Sequence, residues 1–199
     1  TLLMSYEDLV ERGEECARHG IGAIQLIGWT LSGQDGRLPI HDTDPRLGTR
    51  EDFRRAVEKV QAMGVKVVLY QKYTCADVGT DWYRDELHRY VSRDIFGNRH
   101  GHGGWQYDTP AHLAGINTRP LDWMCMNCAD WRGHALEEIR RTLEFNPAGV
   151  FLDECQWHGA NAFYCFDSSH GHRVPAYNFA GDALFEAEMR ELFRQEAPD

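Results

Sequence analysis

The sequence predicts an α/β fold in which parallel strands are covered by helices. Three observations support this: helix and strand patterns alternate three times, the strands are apolar throughout, and each helix leads into the next strand through a short join. Strands that are apolar on both faces are typical of parallel sheets enclosed by helices, whereas half-exposed strands alternate apolar and polar residues.

The first helix and strand begin near the N-terminus. Ser5 and Asp8 form a capping-box-like start, and Gly20 stands where a helix is expected to end. The apolar stretch GAIQLIGW, residues 22–29, follows and has the length of a strand.

The second and third pairs follow the same plan. Thr49 is the predicted N-cap of a helix, because its hydroxyl can accept a hydrogen bond from the backbone N–H three residues later. The strand VKVVLYQKY, residues 65–73, comes next and has the strongest β pattern in the chain. A helix over 130–144, capped by Asp130, leads into GVFLDE, and a last helix is predicted after Asp182.

The segments that leave the strands are long. A loop of about twenty residues follows the first strand, and an elaborated insertion over residues 74–128 follows the second. Because binding and catalytic sites of parallel α/β folds form where the strands end, this is the end of the sheet where a site is expected.

Three strands are too few to close an eight-stranded barrel, which typically needs ~250 residues. We therefore predict that residues 1–199 form a single (β/α) domain. Its parallel (β/α) units would belong to a TIM-type barrel that is incomplete within this chain and part of a larger one. A small self-contained α/β sheet is the alternative.

The amino-acid composition argues against some classes of binding partner. The 31 acidic residues outnumber the 21 basic ones, which gives a net charge of −10 and argues against nucleic acid or an anionic membrane as partner. No apolar run is long enough to span a bilayer, and the N-terminus lacks a signal-peptide pattern. Six cysteines fit a reducing, cytoplasmic setting better than secretion. The composition fixes neither the compartment nor the oligomeric state.

The stretch GVFLDECQWH, residues 149–158, places two carboxylates at the end of the third strand. Successive strand residues point to opposite faces, so Asp153 and Glu154 are not expected to flank one scissile bond. We predict that Asp153 points into a catalytic site and that Glu154 supports it. The simpler interpretation is a cap or ion pair at a strand end.

Three segments resemble the barrel of glycoside hydrolases of the α-galactosidase and α-amylase-like kind: GAIQLIGW, DPRLGTREDFRRAVEKVQAMGVKVVLYQKY and MCMNCADWRGHALEEIRRTLEFNPAGVFLDE. The resemblance covers roughly residues 20–155 and implies a glycosidase. In many such retaining enzymes a strand-end Asp, here matched by Asp153, is the nucleophile that forms a covalent glycosyl intermediate.

The general-acid partner of that nucleophile normally comes from a later strand, and no later strand is evident in this sequence. A non-catalytic carbohydrate-binding or structural barrel module is therefore the second hypothesis.

A carbohydrate ligand is expected to meet side chains in the loops that follow the strands. Aromatic faces stack on the apolar face of a sugar ring, while polar groups take its hydroxyls. The predicted substrate-binding residues are Trp29, Asp42, Asp44, Lys72, Tyr73, Trp105, Asn127, Trp157 and His158. Tyr70 is predicted to be a core residue.

No cofactor is the favoured expectation, and zinc is the alternative. Cys125 and Cys128 form a CxxC motif, and Cys155 with His158 forms a CxxH motif, which together supply four tetrahedral ligands. The other interpretation is that these cysteines are ordinary buried thiols.

Two histidine pairs lie in glycine-rich segments. They are His100 with His102 and His170 with His172. Such pairs can bind a transition metal, but the favoured interpretation is surface histidine.

Overall fold

A computed structural model describes residues 5–102, 121–155 and 164–197 of the chain. It divides into two compact units. The first unit comprises Thr1–Gly36, Ile40–Gln71 and Glu138–Asp153, and the second comprises Arg37–Pro39, Lys72–Glu137 and Glu154–Asp199. The single domain over 1–199 stays a prediction, and the insertion expected over 74–128 belongs to the second unit.

Helices and strands alternate in the first unit, while short strands are frequent in the second. The helices are α1 (Glu7–Arg18), α2 (Arg50–Ala62), α3 (Asp81–Asp85), α4 (Ala129–Leu143) and α5 (Asn178–Glu196), with 3₁₀ turns at Leu87–Tyr90 and Ser168–His170. The strands are β1 (Ala23–Leu26), β2 (Lys66–Gln71), β3 (Cys75–Asp77), β4 (Gly101–His102), β5 (Leu121–Trp123), β6 (Gly149–Leu152), β7 (Tyr164–Cys165) and β8 (Ala176–Tyr177).

The first unit contains a parallel sheet in the order β1-β2-β6. Leu69 in the middle strand is in register with Leu26 on one side and with Val150 on the other. Buried residues of α1, α2 and the strands form one core on one face of this sheet. The predicted fold class, parallel (β/α) units of the barrel type, is confirmed.

The two faces of this sheet have different surroundings. Val67 and Leu69 of β2 belong to the core shared with α1 and α2, so the residues that alternate with them point to the opposite face. Tyr70 and its register partner Phe151 lie on that opposite face, with their rings stacked at 6.2 Å. Phe151 is 41% exposed and Tyr70 only 4%, so in the described part of the chain this face is open to solvent at Phe151.

The helix starts follow local sequence signals only in part: α1 has Tyr6 at its N-cap with no side-chain cap, and not the capping box expected at Ser5. Thr49 caps α2 as predicted, accepting a hydrogen bond from the backbone N–H of Asp52 within a complete capping box. Asp130 differs from expectation, because α4 begins at Ala129 and places Asp130 within its first turn. A carboxylate there interacts favourably with the positive end of the helix dipole without capping it.

The last helix begins earlier than predicted, at Asn178 and not after Asp182. Asn178 is fully buried and donates a hydrogen bond from Nδ2 to the Ser92 Oγ at 3.2 Å. This long-range contact holds the first turn of α5, which local sequence signals do not reveal.

The second unit contains short antiparallel strands that the sequence does not predict. They form a sheet in the order β3-β5-β4 and a separate pair, β7 with β8. Each of these strands has two or three residues, too few for a recognisable alternation pattern. A small core of Leu38, Cys75, Leu121 and Trp123 packs in this unit.

None of the helices in the described ranges has both the length and the apolar character required to cross a bilayer. All six cysteines lie within those ranges, and none forms a disulfide.

Candidate functional site

Two carboxylates meet one phenol at the carboxyl end of the parallel sheet. Tyr70 Oη lies 2.7 Å from Asp35 Oδ1 and 2.8 Å from Asp153 Oδ2. All three residues belong to the first unit, and we call them the carboxylate–tyrosine group. A phenol has one hydrogen and can donate it to only one carboxylate at a time. The second carboxylate therefore competes for the same proton.

Backbone geometry fixes each member of this group. The backbone N–H of Asp153 donates to the carbonyl oxygen of Gln71 at 2.8 Å, which extends the β2–β6 pairing one residue beyond the strand. Asp35 has a left-handed backbone with φ of 58°, and Ser32 in the same loop has φ of 69°. Such conformations are uncommon outside glycine and concentrate at functional sites.

Tyr70 is a hydrogen-bond donor in this group. Burial, together with the negative charge of Asp35 and Asp153, raises the pKa of Tyr70 far above its usual value of 10.0. The phenol therefore keeps its proton over the physiological pH range. Its hydroxyl contacts both carboxylates.

Glu154, the neighbour of Asp153, has a different partner. Its Oε2 lies 2.6 Å from the Nζ of Lys72, and the two side chains are 5% and 0% exposed. Both residues belong to the second unit, and Glu154 has a φ of 54°. Lys72, predicted to bind substrate, is thus the buried partner of a carboxylate in this structure.

Trp29, also predicted to bind substrate, is a core residue of the first unit. Its ring is fully buried and lies parallel to Phe53 at 5.0 Å, with Phe145 against its edge. Its indole N–H donates to the backbone carbonyl of Tyr70 at 3.1 Å. The indole ring therefore has no open face for a sugar.

Asp42 and Asp44 are held by arginines. Asp42 is half-exposed and forms an ion pair with Arg50. Asp44 is buried, and hydrogen bonds from Arg46 are the main reason that its pKa falls to about 2. Both carboxylates therefore have cationic partners within the first unit.

The remaining predicted substrate-binding residues belong to the second unit. Tyr73 is buried with its ring at a steep angle to Phe185, 5.9 Å between centroids. Asn127 is partly exposed and donates to the carbonyl oxygen of Tyr177 at 3.0 Å. Trp105, Trp157 and His158 lie outside the described residues.

A group of thiols and imidazoles forms a separate site within the second unit. Its members are Cys125, Cys165, His170 and His172, which we call the Cys/His cluster, and their donor atoms all lie within 4.8 Å of one another. Cys125 Sγ is 3.3 Å from His172 Nε2, and Cys165 Sγ is 3.4 Å from His170 Nδ1.

The two thiols of this cluster differ in acidity. A hydrogen bond between them lowers the pKa of Cys165, the acceptor, and raises the pKa of Cys125, the donor.

The Cys/His cluster differs from the set of zinc ligands expected from the sequence. Of that set, Cys125 belongs to the Cys/His cluster, whereas Cys128 and Cys155 are not among its members in the described part of the chain. His158 lies outside the described residues.

Sequence reasoning missed Asp35 and Cys165. Asp35 could have been noticed as a carboxylate in the long loop after a strand, at the end of the sheet where sites form. Cys165 could have been noticed because it precedes His170 and His172 by a few residues, giving three metal-binding side chains in one short segment.

Solved structures of glycoside hydrolases share this fold. The ligand-free α-N-acetylgalactosaminidase NagBb from Bifidobacterium bifidum matches with a TM-score of 0.69 and 16% identity over 96% of this chain and 29% of that chain. An α-galactosidase from Thermus thermophilus matches with a TM-score of 0.65 and 15% identity over 96% of this chain and 34% of that chain.

A debranching enzyme from Nostoc punctiforme matches with a TM-score of 0.62 and 18% identity over 98% of this chain and 37% of that chain. The chain thus spans about a third of the length of these enzymes. At such identities the likeness defines a class of fold, that of glycoside hydrolase barrels.

The chain belongs to the family DUF6259, a domain of unknown function, whose model matches residues 24–197. A comparison with curated proteins finds no match.

Proposed function

We propose that this chain is the carbohydrate-active part of a glycoside hydrolase and that Asp153 is its catalytic carboxylate. One observation carries the proposal. Asp153 follows β6 at the carboxyl end of the parallel sheet, lies on the same face as the exposed Phe151, and accepts a hydrogen bond from buried Tyr70. In (β/α) barrels, catalytic groups occupy this end of the strands.

The chemistry proposed for Asp153 is nucleophilic. One carboxylate oxygen attacks the anomeric carbon, the bond to the leaving oxygen breaks, and the leaving group takes a proton from an acid. Water, which gives a proton back to the conjugate base of that acid, then attacks the anomeric carbon, releases the sugar and regenerates the carboxylate. The hydrogen bond to Oδ2 from Tyr70 orients Asp153 and leaves its other oxygen for attack.

Asp35 is the second carboxylate nearest to this chemistry. Because Asp35 and Asp153 both contact the Tyr70 phenol oxygen, their bonded oxygens can be no farther apart than the two hydrogen bonds together. This upper limit is similar to the ~5–5.5 Å between the two carboxyl groups of retaining glycosidases. We propose Asp35 as a further residue of the site.

The structural neighbours suggest which sugars to test. The Thermus thermophilus enzyme was solved with p-nitrophenyl α-D-galactopyranoside, and the Bifidobacterium bifidum enzyme with N-acetylgalactosamine. We propose α-linked galactosides, N-acetylgalactosaminides and α-glucans as the substrate class.

The decisive variant is Asp153→Asn, which keeps the shape of the side chain and removes its charge. With p-nitrophenyl α-glycosides as substrates, we expect kcat to fall by about 10⁴-fold, because loss of a nucleophile removes the covalent step. Glu11→Gln, the same chemical change on an exposed carboxylate of the first unit, should leave turnover unchanged. Circular dichroism of both variants checks the fold.

Azide rescue separates a nucleophile from a merely supporting carboxylate. In Asp153→Gly, sodium azide should restore cleavage of the aryl glycoside and yield a glycosyl azide, because the small anion can replace the missing carboxylate. Full turnover by Asp153→Asn would refute the assignment. Sugar binding without hydrolysis by the unmodified protein would favour the non-catalytic binding module.

A further inference from the structure

The Cys/His cluster of the second unit has no part in the proposed function. Cys125 follows β5, Cys165 ends β7, His170 ends the second 3₁₀ turn, and His172 lies two residues farther on. Residues separated by up to 47 positions in sequence thus bring four soft or borderline donors together. Two thiols and two imidazoles are a ligand set that Zn²⁺ prefers.

Both histidine rings are oriented as metal ligands are. His170 Nε2 lies 2.9 Å from the carbonyl oxygen of Arg89, and His172 Nδ1 lies 3.2 Å from the carbonyl oxygen of Arg173. A carbonyl oxygen only accepts, so these nitrogens carry the hydrogens. In the neutral imidazole that a metal ion requires, the other nitrogen of each ring presents a lone pair, and that nitrogen faces a sulfur atom. Metal-bound histidines are typically fixed by such backbone hydrogen bonds.

The spacing of the donor atoms agrees with a tetrahedral zinc site. Bond lengths of about 2.3 Å to sulfur and 2.0–2.1 Å to nitrogen place neighbouring sulfur and nitrogen atoms roughly 3.5 Å apart around the ion. The two sulfur–nitrogen distances of 3.3 and 3.4 Å are close to this value. All donor atoms lie within 4.8 Å of one another, so a small movement of the side chains completes the site.

Burial and charge indicate a closed site. Cys125 and Cys165 are fully buried and His170 is 7% exposed. Two thiolates balance the charge of Zn²⁺, so the occupied site adds no net charge to the interior of the unit. Four protein ligands leave no position for water or substrate, which is typical of structural and not catalytic zinc.

The surrounding segment has little regular structure of its own. β7 and β8 have two residues each, and the chain between them contains one three-residue 3₁₀ turn. Three of the four donors come from this segment, and the fourth follows β5. A bound ion would therefore join the segment to the antiparallel sheet of the same unit and contribute its binding free energy to folding.

We propose that Cys125, Cys165, His170 and His172 bind one zinc ion as a structural site of the second unit. Without a metal, the same residues would make only the two sulfur–imidazole contacts, and the experiments separate these two states.

The first experiment uses the unmodified, tag-free protein. After purification under reducing conditions, mass spectrometry of the metals should find zinc close to one ion per chain. Replacement by Co²⁺ should produce the visible bands of a tetrahedral ion and the charge-transfer bands of thiolate ligands. A strong chelator should remove the metal and lower Tm, and added zinc chloride should restore it. Absence of stoichiometric metal, with Tm insensitive to chelator, would overturn the proposal.

The second experiment identifies the ligands. Cys165→Ser and His172→Ala should each reduce retained zinc to a small fraction after dialysis and alter the Co²⁺ spectrum. Cys128→Ser, a buried cysteine outside the cluster, should retain the metal and the spectrum. Loss of metal in Cys128→Ser with retention in Cys165→Ser would contradict this ligand set. Because the metal content and Co²⁺ spectrum of the unmodified protein are measured separately, a variant that fails to fold leaves the test intact.

Discussion

The burial of Tyr70 could be predicted from the sequence, but its hydrogen-bond partners could not. Its place in an apolar strand correctly predicts burial, because the strand pattern reports which residues leave solvent. The pattern carries no information about the hydroxyl, whose partners are 35 positions before it and 83 positions after it. The carboxylate–tyrosine group therefore emerges only from tertiary structure.

Trp29, predicted to bind substrate, is instead a core residue. An aromatic residue after a strand fits a sugar platform, but Phe53 and Phe145 cover this ring. Local sequence places the residue at the end of a strand and does not determine what packs on it. Burial of aromatic surface is favourable by default, so such residues are more often core than ligand-binding.

Asp44 is expected to make the stability sensitive to acid. Hydrogen bonds from Arg46 lower its pKa from 3.8 to about 2, so the unfolded chain takes up this proton at a higher pH than the folded state. The stabilisation is fully present above the unfolded pKa and is lost as pH falls through the folded one. Because Arg46 is 74% exposed, solvent screening limits the contribution to about 1 kcal/mol.

Urea unfolding over a pH series measures this effect. The difference in unfolding free energy between the unmodified protein and Asp44→Asn should shrink as pH falls from about 4 to about 2. In an Arg46→Gln background, the same substitution should show a weaker pH dependence, because the side-chain hydrogen bonds are lost while the backbone N–H of residue 46 still donates to Asp44. An undiminished dependence there would exclude Arg46 as the cause.

At the scale of elements, the sequence predicts those that are long and locally signalled. α2 and β2 have clear periodicity, a capping box at Thr49 and a glycine, Gly64, whose φ of 82° ends the helix segment. β3, β4 and β5 form by pairing with one another and by packing on their shared core. No local sequence pattern therefore predicts them.

Gly181 in α5 is expected to tolerate no side chain. A Cβ there would lie 2.2 Å from the carbonyl carbon of Met126 and 2.4 Å from the backbone nitrogen of Asn127. Backbone cannot yield as a flexible side chain can, so Gly181→Ala should lower the unfolding free energy by about 1–3 kcal/mol or more.

Gly133 in α4 provides the matched control. It is exposed and a Cβ there would have no atom within 4 Å, so Gly133→Ala should raise the unfolding free energy by roughly 0.5–1 kcal/mol through helix propensity. Urea unfolding of the two variants compares them directly. Equal stability changes would show that α5 does not approach the backbone at Met126 so closely.

At the scale of the whole chain, the net charge of −10 has a measurable consequence. A polyanion should be repelled on average, so the protein should pass through a heparin column at about 0.05 M salt. In the same buffer the protein should bind to an anion-exchange resin, which checks that its net charge is negative under these conditions. Retention on heparin with release by salt would reveal a local basic site.

The candidate sites differ in whether local sequence is enough to predict where their residues lie. The position of Asp153 at the end of a strand can be predicted because one continuous segment of sequence shows the strand pattern. Asp35 and the Cys/His cluster require segments distant in sequence to converge, and the short strands that produce the convergence have no pattern. The position of a side chain at a strand end can thus be predicted from the sequence, while the convergence of distant segments cannot.

The register between β2 and β6 also constrains how this family can vary. Tyr70 pairs with Phe151, and a slip of one residue would turn Asp153 toward the face occupied by the helices. The join between Leu143 and Gly149 is short, so an insertion or deletion there would shift the carboxylate along with the strand. In the loops that leave the strands, length changes that keep Asp35 in place do not alter this register. Length variation in evolution, and insertions made by engineers, should therefore accumulate after the strands and be excluded before them.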